Sequence, residues 1–252
     1  MREWLPGHAR RAPELLRRHA EALDVVLELA DARAPVVTRY PHLDRLTGGL
    51  RRVLVLTRAD LADPTTTARW VARLAEGGTA AFPVELPAGR GLRALRRALR
   101  PEGGGPLRAA VVGLPNVGKS ALLNALVRRR KAPTGDRPGI TRGGSWIRSG
   151  TLELLDTPGL LWPRAAQLPM LAIMGLVEPD PEQVENLAEE LLRRIPSLYE
   201  GTLEEFGASR GALKAGGAVD RHRAAQLLLR EFHRGRLGRW SLEAPPREGG
   251  AA

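Results

Sequence analysis

One segment of the chain has residue types and spacing suited to binding a phosphate chain. Residues 113–120 read Gly-Leu-Pro-Asn-Val-Gly-Lys-Ser, which fits the Walker A pattern G-x-x-x-x-G-K-[ST]. Glycines at both ends let the backbone wrap closely around a pyrophosphate, so that its N–H groups point at the anion. In this interpretation Lys119 holds the β and γ phosphates and the Ser120 hydroxyl is a ligand of Mg²⁺. The pattern predicts a nucleotide phosphate site.

Two later segments could complete the metal site of a nucleoside triphosphate. Asp156-Thr-Pro-Gly159 follows an apolar run, where a Walker B aspartate approaches Mg²⁺ and the glycine allows the backbone near the γ-phosphate. Between the two motifs lies Pro138-Gly-Ile-Thr141, whose threonine could complete the Mg²⁺ shell and sense the γ-phosphate. An isolated Asp-Thr-Pro-Gly is more often just a turn. Its position after a strand and after Lys119 instead indicates a nucleoside-triphosphate switch.

A further segment could recognise the base. Guanine presents N1–H and a 2-amino group together, and one carboxylate after a strand can accept both hydrogen bonds. Thr57-Arg58-Ala-Asp60 follows the apolar run Val53–Leu56 and resembles the N-K-x-D guanine motif of GTPases. Thr57 replaces the asparagine that ties the loop, and Arg58 replaces the lysine whose stem covers the base, although arginine can also stack on a purine. We assign Asp60 as the specificity residue.

These motifs lie in an alternation of short apolar runs and helix-like stretches, which is typical of an α/β fold with a mostly parallel sheet. The predicted strands are Val25–Leu29, Val53–Leu56, Ala80–Val84, Arg108–Val112 and Thr151–Leu155, and the predicted helices between them are 64–74, 91–99 and 119–130. After about Leu161 the pattern becomes helical. Asp180 is the predicted N-cap of a helix that runs to about Ile195, and a second helix is predicted over about Asp220 to His233.

Composition limits the classes of protein. The 252 residues contain no cysteine, which excludes disulfide scaffolds, thiolate zinc sites and cysteine nucleophiles. No run of about 18 apolar residues is present, so we predict neither a membrane span nor a signal peptide. The formal net charge of +11 favours a polyanionic partner. All but three of the 39 basic residues are arginine, so an arginine-biased composition is the alternative explanation.

The charges of the helical region are separated along the chain. Residues 178–205 carry nine acids and two arginines, and residues 210–240 carry eight cations and two acids. A charge run is usually a solvated face, but this basic run has few acids of its own. We therefore predict an RNA-binding face, while a solvated arginine-rich helix stays open as the alternative. The candidate phosphate contacts are Arg221, Arg223, Arg230, Arg234, Arg236 and Arg239.

The order of the motifs is unusual, because the base motif around Asp60 precedes the phosphate motifs around Lys119 and Asp156, the reverse of Ras-like GTPases. The chain resembles the ribosome biogenesis GTPase A family of circularly permuted, YlqF/YawG-type GTPases. The resemblance rests on Trp4-Leu-Pro-Gly-His8, Asp31-Ala-Arg-Ala-Pro35, Thr134–Thr141, Leu155–Gly159, Leu161-Trp-Pro163, Arg210–Gly217 and Arg236–Trp240, and so covers nearly the whole chain.

The resemblance implies a circularly permuted Ras-like P-loop GTPase domain over residues 1–164, a small α-helical RNA-binding domain over 165–244 and a flexible tail over 245–252. It implies a cytoplasmic factor that binds GTP or GDP with Mg²⁺ and acts late in assembly of the large ribosomal subunit. Its partners would be the large-subunit precursor and its rRNA, and no membrane. We expect the free protein to be a monomer whose GTP hydrolysis the particle stimulates.

The resemblance also implies roles for individual residues. Leu160 and Leu161 stand where Ras-like GTPases orient water with glutamine, and the family offers His8 instead. The catalytic set is therefore His8, Lys119, Thr141 and Gly159, and Asn116 resembles the P-loop asparagine of potassium-activated GTPases, which implies K⁺. The nucleotide contacts are Thr57, Arg58, Asp60, Asn116, Val117, Gly118, Lys119, Ser120, Ala121 and Gly159, and the Mg²⁺ ligands are Ser120, Thr141 and Asp156.

Three alternatives stay open at this stage. A P-loop ATPase or kinase would use Lys119, Ser120 and Asp156. It would need no guanine motif, so Thr57 and Arg58 would not be departures from one. A nucleotide-gated RNA-binding module without meaningful hydrolysis would agree with Leu160. A GTPase that serves a different RNA or an organelle membrane would share every motif but sediment with another particle.

Overall fold

The computed structural model describes residues 11–40, 43–101, 103–127, 145–157 and 165–246. Within these ranges six strands form one sheet in the order β3-β2-β1-β4-β6-β5. Neighbouring strands are parallel except β5, which pairs antiparallel with β6 at the edge. The strands are β1 Val25–Asp31, β2 Arg51–Thr57, β3 Ala80–Pro83, β4 Leu107–Gly113, β5 Ser145–Ser149 and β6 Leu152–Asp156.

Helices cover the sheet and then continue alone. The helices of the first part are α1 Arg11–His19, α2 Leu43–Thr47, α3 Pro64–Glu76, α4 Leu92–Ala98 and α5 Lys119–Val127. Those of the second part are α6 Leu168–Ile173, α7 Val184–Arg194, α8 Leu203–Ser209 and α9 Arg221–His233. In the described ranges no helix is both long and apolar enough to cross a bilayer.

The predicted α/β architecture is confirmed, and each predicted strand lies within a residue or two of an observed one. The central strand β1 is buried along its whole length, as expected for a parallel strand covered on both faces. The Asp180 cap follows the predicted chemistry, because its carboxylate accepts from a backbone N–H group. The Asp220 carboxylate caps α9 in the same way, accepting from the Arg223 N–H. Asp180 caps a short 3₁₀ turn, Pro181–Gln183, that leads into α7.

Two hydrophobic cores meet at α6. One core lies around the sheet and includes Leu171, Met174 and Leu176, and the other lies among α7, α8 and α9 and includes Ala172 and Ile173. Adjacent residues of one short helical segment are thus buried in different cores. Helix α6 therefore joins the helical part to the sheet through packing as well as through the chain.

The chain returns to the sheet part after α9. We call residues 239–243 the C-terminal strap, and each of them forms a hydrogen bond to the sheet part. The donors are two Arg239 N–H groups, the Trp240 N–H and the Leu242 N–H. The acceptors are the Ser241 hydroxyl and the Glu243 carboxylate. Pro245, the first residue of the predicted tail, is buried. The last residues of the predicted helical domain therefore lie on the surface of the sheet part.

Candidate nucleotide-binding site

The predicted motifs meet at one edge of the sheet. Asp31, Thr57, Gly113 and Asp156 are the last residues of β1, β2, β4 and β6, and these four strands are parallel neighbours. The chain runs from β1 outward to β3 and then crosses back to β4, so the strand order reverses between β1 and β4. Open α/β sheets bind ligands at such a switch point, outside the carboxyl ends of the strands.

The loop between β4 and α5 has the backbone of a phosphate cradle. A Cβ on Gly113 would meet the Val117 Cγ1 atom at 2.9 Å and the Leu29 carbonyl oxygen at 3.0 Å, so only glycine fits there. Asn116 has φ of 58° and Gly118 has φ of 109°, in the left-handed region that favours glycine. Val117 is buried, and Ala121 lies half-buried in the first turn of α5. This helix N-terminus is suited to an anion.

Lys119 is held inside this cradle. Its Nζ donates to the carbonyl oxygens of Gly113 at 3.0 Å and Leu114 at 2.7 Å. Burial lowers the pKa of Lys119 to about 8, and the opposing charge of Asp156 limits the decrease. In the described part of the chain the Lys119 ammonium donates only to carbonyl oxygens. A nearby anion would stabilise its charge, so the loop is arranged for phosphate oxygens.

Ser120 and Asp156 supply oxygen atoms of the kind Mg²⁺ prefers. Ser120 is exposed beside Lys119, and burial raises the pKa of Asp156 although Lys119 opposes the increase. Within the described part no group of three His, Cys, Asp or Glu side chains could hold a metal. A hydroxyl and one carboxylate nevertheless fit Mg²⁺, which keeps several waters and takes its other ligands from the substrate phosphates.

Thr57 connects two loops of the site by a hydrogen bond. These are the loop of residues 57–62 after β2, which we call the base loop, and the loop between β4 and α5, which we call the phosphate loop. Its buried hydroxyl lies 2.7 Å from the Val117 carbonyl oxygen and 3.1 Å from that of Ala30. One hydroxyl has a single proton, which the shorter distance assigns to Val117. The threonine therefore makes the loop-tying contact for which the resembled motif uses asparagine.

Arg58 is the centre of a buried polar network. Its guanidinium contacts the Asp31 carboxylate at 3.2 Å and donates to the carbonyl oxygens of Asn116 at 2.8 Å and Met174 at 3.3 Å. Asp31 also receives a bidentate interaction from Arg33 at 3.0 and 2.8 Å. Burial acts to raise the pKa of Asp31, but the two guanidiniums outweigh it and hold the pKa below its usual value.

Sequence reasoning assigned no site role to this Asp31–Arg33 pair. Both side chains are fully buried, and Arg33 also donates to the Met174 carbonyl and lies over the Phe232 ring at 5.4 Å. Its Nη1 has no hydrogen-bond partner among the described residues. Asp31-Ala-Arg-Ala-Pro35 had served only as evidence of resemblance, whereas a charged pair at the end of an apolar strand was a signal that could have placed it here.

The turn after α6 reaches the same network. Gly175, with φ of 70°, and Leu176 close α6 by donating to the Ala172 and Leu171 carbonyls, which is the Schellman pattern. The carbonyl of Leu176 accepts from the Asn116 side-chain amide at 3.2 Å. The phosphate loop is thus hydrogen-bonded directly to the helical part.

The loop around Asp60 follows β2 and has a described partner at almost every carbonyl. The oxygens of Ala59 and Ala62 accept from Arg239, and that of Leu61 accepts from the Trp240 N–H. Asp60 itself is half-buried, and its carboxylate makes no hydrogen bond or ion pair among the described residues. It therefore has acceptor atoms available to a ligand.

Two of the six arginines predicted to contact RNA have partners within the protein. Arg221 forms ion pairs with the carboxylates of Glu185, Glu189 and Glu204, because the acidic residues 178–205 pack beside the basic ones in space. Arg239 is bound to the base-loop carbonyls. Arg223, Arg230, Arg234 and Arg236 are exposed without a side-chain partner in the described ranges, so they stay predicted RNA contacts. His8, Thr141 and Gly159 lie outside the described residues.

The sheet and its phosphate loop define a circularly permuted P-loop GTPase. A family model described as "50S ribosome-binding GTPase" matches residues 108–195. Ribosome biogenesis GTPase A of Bacillus cereus is 34% identical over 96% of this chain and 94% of its own length, and that of Thermotoga maritima is 31% identical over 96% and 94%. The chain belongs to the ribosome biogenesis GTPase A family.

Solved structures agree with this assignment. A GDP-bound YlqF structure has a TM-score of 0.73 at 28% identity, and it covers 91% of this chain and 98% of its own. The GNP-bound YlqF from T. maritima has a TM-score of 0.70 at 28% identity, with 93% and 98% covered.

Proposed function

We propose that this GTPase binds GTP with Mg²⁺ in the cytoplasm, assists late maturation of the large ribosomal subunit and hydrolyses GTP faster on that particle. The observation that carries the placement of a base site beside the phosphate site is the Thr57 hydroxyl bond to Val117. It joins the loop of Asp60 to the phosphate loop, as a site that reads base and phosphates together requires. The names of the curated relatives support the ribosomal role.

The chain's own residues bind and orient the substrate. Lys119 exchanges its carbonyl partners for the β and γ phosphates, while the N–H groups of residues 116–121 surround them. Ser120 and Asp156, with Thr141, would hold a magnesium ion, which would neutralise charge on the phosphate oxygens. The Asp60 carboxylate accepts hydrogen bonds from the guanine base, and the Arg58 side chain stacks on it. Positioning and charge neutralisation supply most of the catalysis in phosphoryl transfer.

Potassium is part of the proposal through Asn116. Its side-chain nitrogen donates to Leu176, and its Oδ1 accepts no hydrogen bond from the described residues. An oxygen atom beside the phosphate loop is the kind of ligand that a K⁺ ion needs. Equal GTP turnover in Na⁺ and K⁺ would remove this part of the proposal.

The ribosomal role is tested by sedimentation. Wild-type protein loaded with a non-hydrolysable GTP analogue should co-sediment with large-subunit precursors and should be released when GDP replaces it. Sedimentation with another particle, or equal binding in both nucleotides, would contradict the proposed role.

Water positioning by His8 is tested separately. His8→Ala should keep nucleotide affinity and particle binding but lose the stimulated part of turnover, because the histidine would act only on the attacking water. Full stimulated turnover in this variant would remove His8 from the mechanism.

A further inference from the structure

The C-terminal strap forms hydrogen bonds to the loop that carries Asp60. The Arg239 guanidinium donates through Nη2 to the Ala59 carbonyl at 2.7 Å and through Nε to the Ala62 carbonyl at 3.0 Å. These two carbonyls stand on either side of Asp60 in the chain. A planar guanidinium with fixed N–H directions sets the separation of two acceptors more tightly than a single bond can.

Two further hydrogen bonds join the strap to the same loop through its backbone. The Trp240 N–H donates to the Leu61 carbonyl at 2.9 Å, and the Asp63 N–H donates to the Ser241 hydroxyl at 3.2 Å. Among the described residues the loop has two other backbone hydrogen bonds: the Ala59 N–H donates to the Val84 carbonyl and the Leu61 N–H donates back to the Arg58 carbonyl. Most of the bonds that order this loop from outside therefore come from the strap.

The strap is itself fixed at its far end. The Leu242 N–H donates to the Arg33 carbonyl at 2.7 Å, and the Glu243 carboxylate accepts from the N–H groups of Val36 at 2.6 Å and Val37 at 3.0 Å. Arg33 in turn binds Asp31, which also contacts Arg58. The strap thus spans from the base loop to the buried network beneath the same site.

We propose that Arg239 and the strap are positioning elements of the guanine site, so that they set guanine affinity and selectivity without contacting the nucleotide. This inference rests on the proposed role of Asp60. A carboxylate that reads two adjacent donors must be held in one place, and ordering a free loop at the moment of binding costs affinity. Because the strap follows α9, it also joins the helical part to nucleotide recognition.

The test compares Arg239 with an exposed arginine of helix α3. Arg239→Gln removes the two-carbonyl contact, whereas Arg69→Gln removes an exposed arginine that has no side-chain partner in the described part of the chain. Affinities for GDP and for inosine diphosphate, which lacks the 2-amino group, are measured by calorimetry. We expect Arg239→Gln to weaken GDP binding about tenfold and to reduce the preference for GDP over inosine diphosphate, and Arg69→Gln to change neither.

Wild-type affinity and preference in Arg239→Gln would overturn the inference. If that variant does not fold, Ser241→Ala decides instead, because it deletes only the hydroxyl that accepts from Asp63. We then expect about a threefold loss of GDP affinity in Ser241→Ala, and an unchanged value would overturn the inference.

Asp60→Asn separates this inference from the proposed function. An asparagine at that position should favour xanthosine diphosphate, whose C2 oxygen accepts from the amide. If Asp60→Asn keeps its preference for GDP, the base assignment fails and the inference falls with it. If the preference switches while Arg239→Gln behaves as wild type, the base assignment stands and only the positioning role is wrong.

Discussion

At the scale of single residues, the buried hydroxyl of Thr57 has a measurable role. Thr57→Val keeps the shape of the side chain but leaves the Val117 carbonyl without its donor at 2.7 Å. We expect a loss of about 1–3 kcal/mol in the free energy of unfolding, with weaker GDP binding. Urea denaturation and GDP titration measure both effects. Thr57→Ser is the control, and it should retain both values; equal losses in the two variants would contradict the account.

Lys119 should make nucleotide binding depend on pH. Its pKa in the free protein lies at about 8, and phosphate binding favours the charged form and raises that pKa. Nucleotide binding therefore takes up a proton above about pH 8. The affinity for GTP should fall as pH rises from about 8 to about 9, and it should not change with pH just below about 8. Fluorescence titration of a labelled nucleotide measures this. A pH-independent affinity over the whole range would contradict the lowered pKa.

Residue types predicted part of the site. Lys119, Ser120 and Asp156 lie where the motif spacing placed them, because a P-loop is set by local backbone geometry between a strand and a helix. Arg221 and Arg239 could not be assigned from sequence, since their partners are 17 to 180 positions away. Thr57 looked like a departure from its motif, and only the distance to Val117 showed that a hydroxyl makes the same tie.

At the scale of elements, the turn after α6 connects the two cores through its carbonyls. Those of Ile173, Met174 and Leu176 accept from His233, from Arg33 and Arg58, and from Asn116. A Cβ on Gly175 would lie 2.9 Å from the His233 ring. The turn is therefore held between α9 and the phosphate loop.

His233 makes this junction sensitive to acid. Burial lowers its pKa to about 4 from an ordinary 6.5, partly offset by the bond to the Ile173 carbonyl. The unfolded chain binds a proton below about pH 6.5 and the folded chain does not until about pH 4, so the stability that the neutral ring contributes is lost as pH falls through this window. We expect wild type to lose about 2 kcal/mol more than His233→Gln between these limits. Parallel losses in urea unfolding would contradict this prediction.

Element prediction succeeded where patterns were strong and failed where they were short. The apolar strands and the capped helix α9 were found, whereas α1, α2, α6, α8 and β5 were not. Strand β5 is a five-residue antiparallel edge strand with only Trp146 and Ile147 apolar, so it lacks a buried run. Helix α8 did carry a signal in the capping box of Thr202 and Glu205.

At the scale of the whole molecule, most of the candidate RNA-binding charge is in four exposed arginines. Changing Arg223, Arg230, Arg234 and Arg236 to glutamine should weaken binding to large subunits and should reduce the magnitude of the slope of log affinity against log salt by about 3. The control changes Arg69, Arg93, Arg97 and Arg100, which are also exposed, and removes the same charge elsewhere. An equal effect of both sets would indicate non-specific attraction by net charge.

The most direct test of the account is steady-state phosphate release from GTP and from ATP, with Mg²⁺ and K⁺, with and without purified large ribosomal subunits. We expect slow turnover of GTP by the free protein, selective stimulation by the subunits and no comparable use of ATP. Tight GTP binding with flat turnover would contradict it in favour of a nucleotide-gated binding module. Equal turnover of ATP would contradict the assignment of Asp60 to guanine.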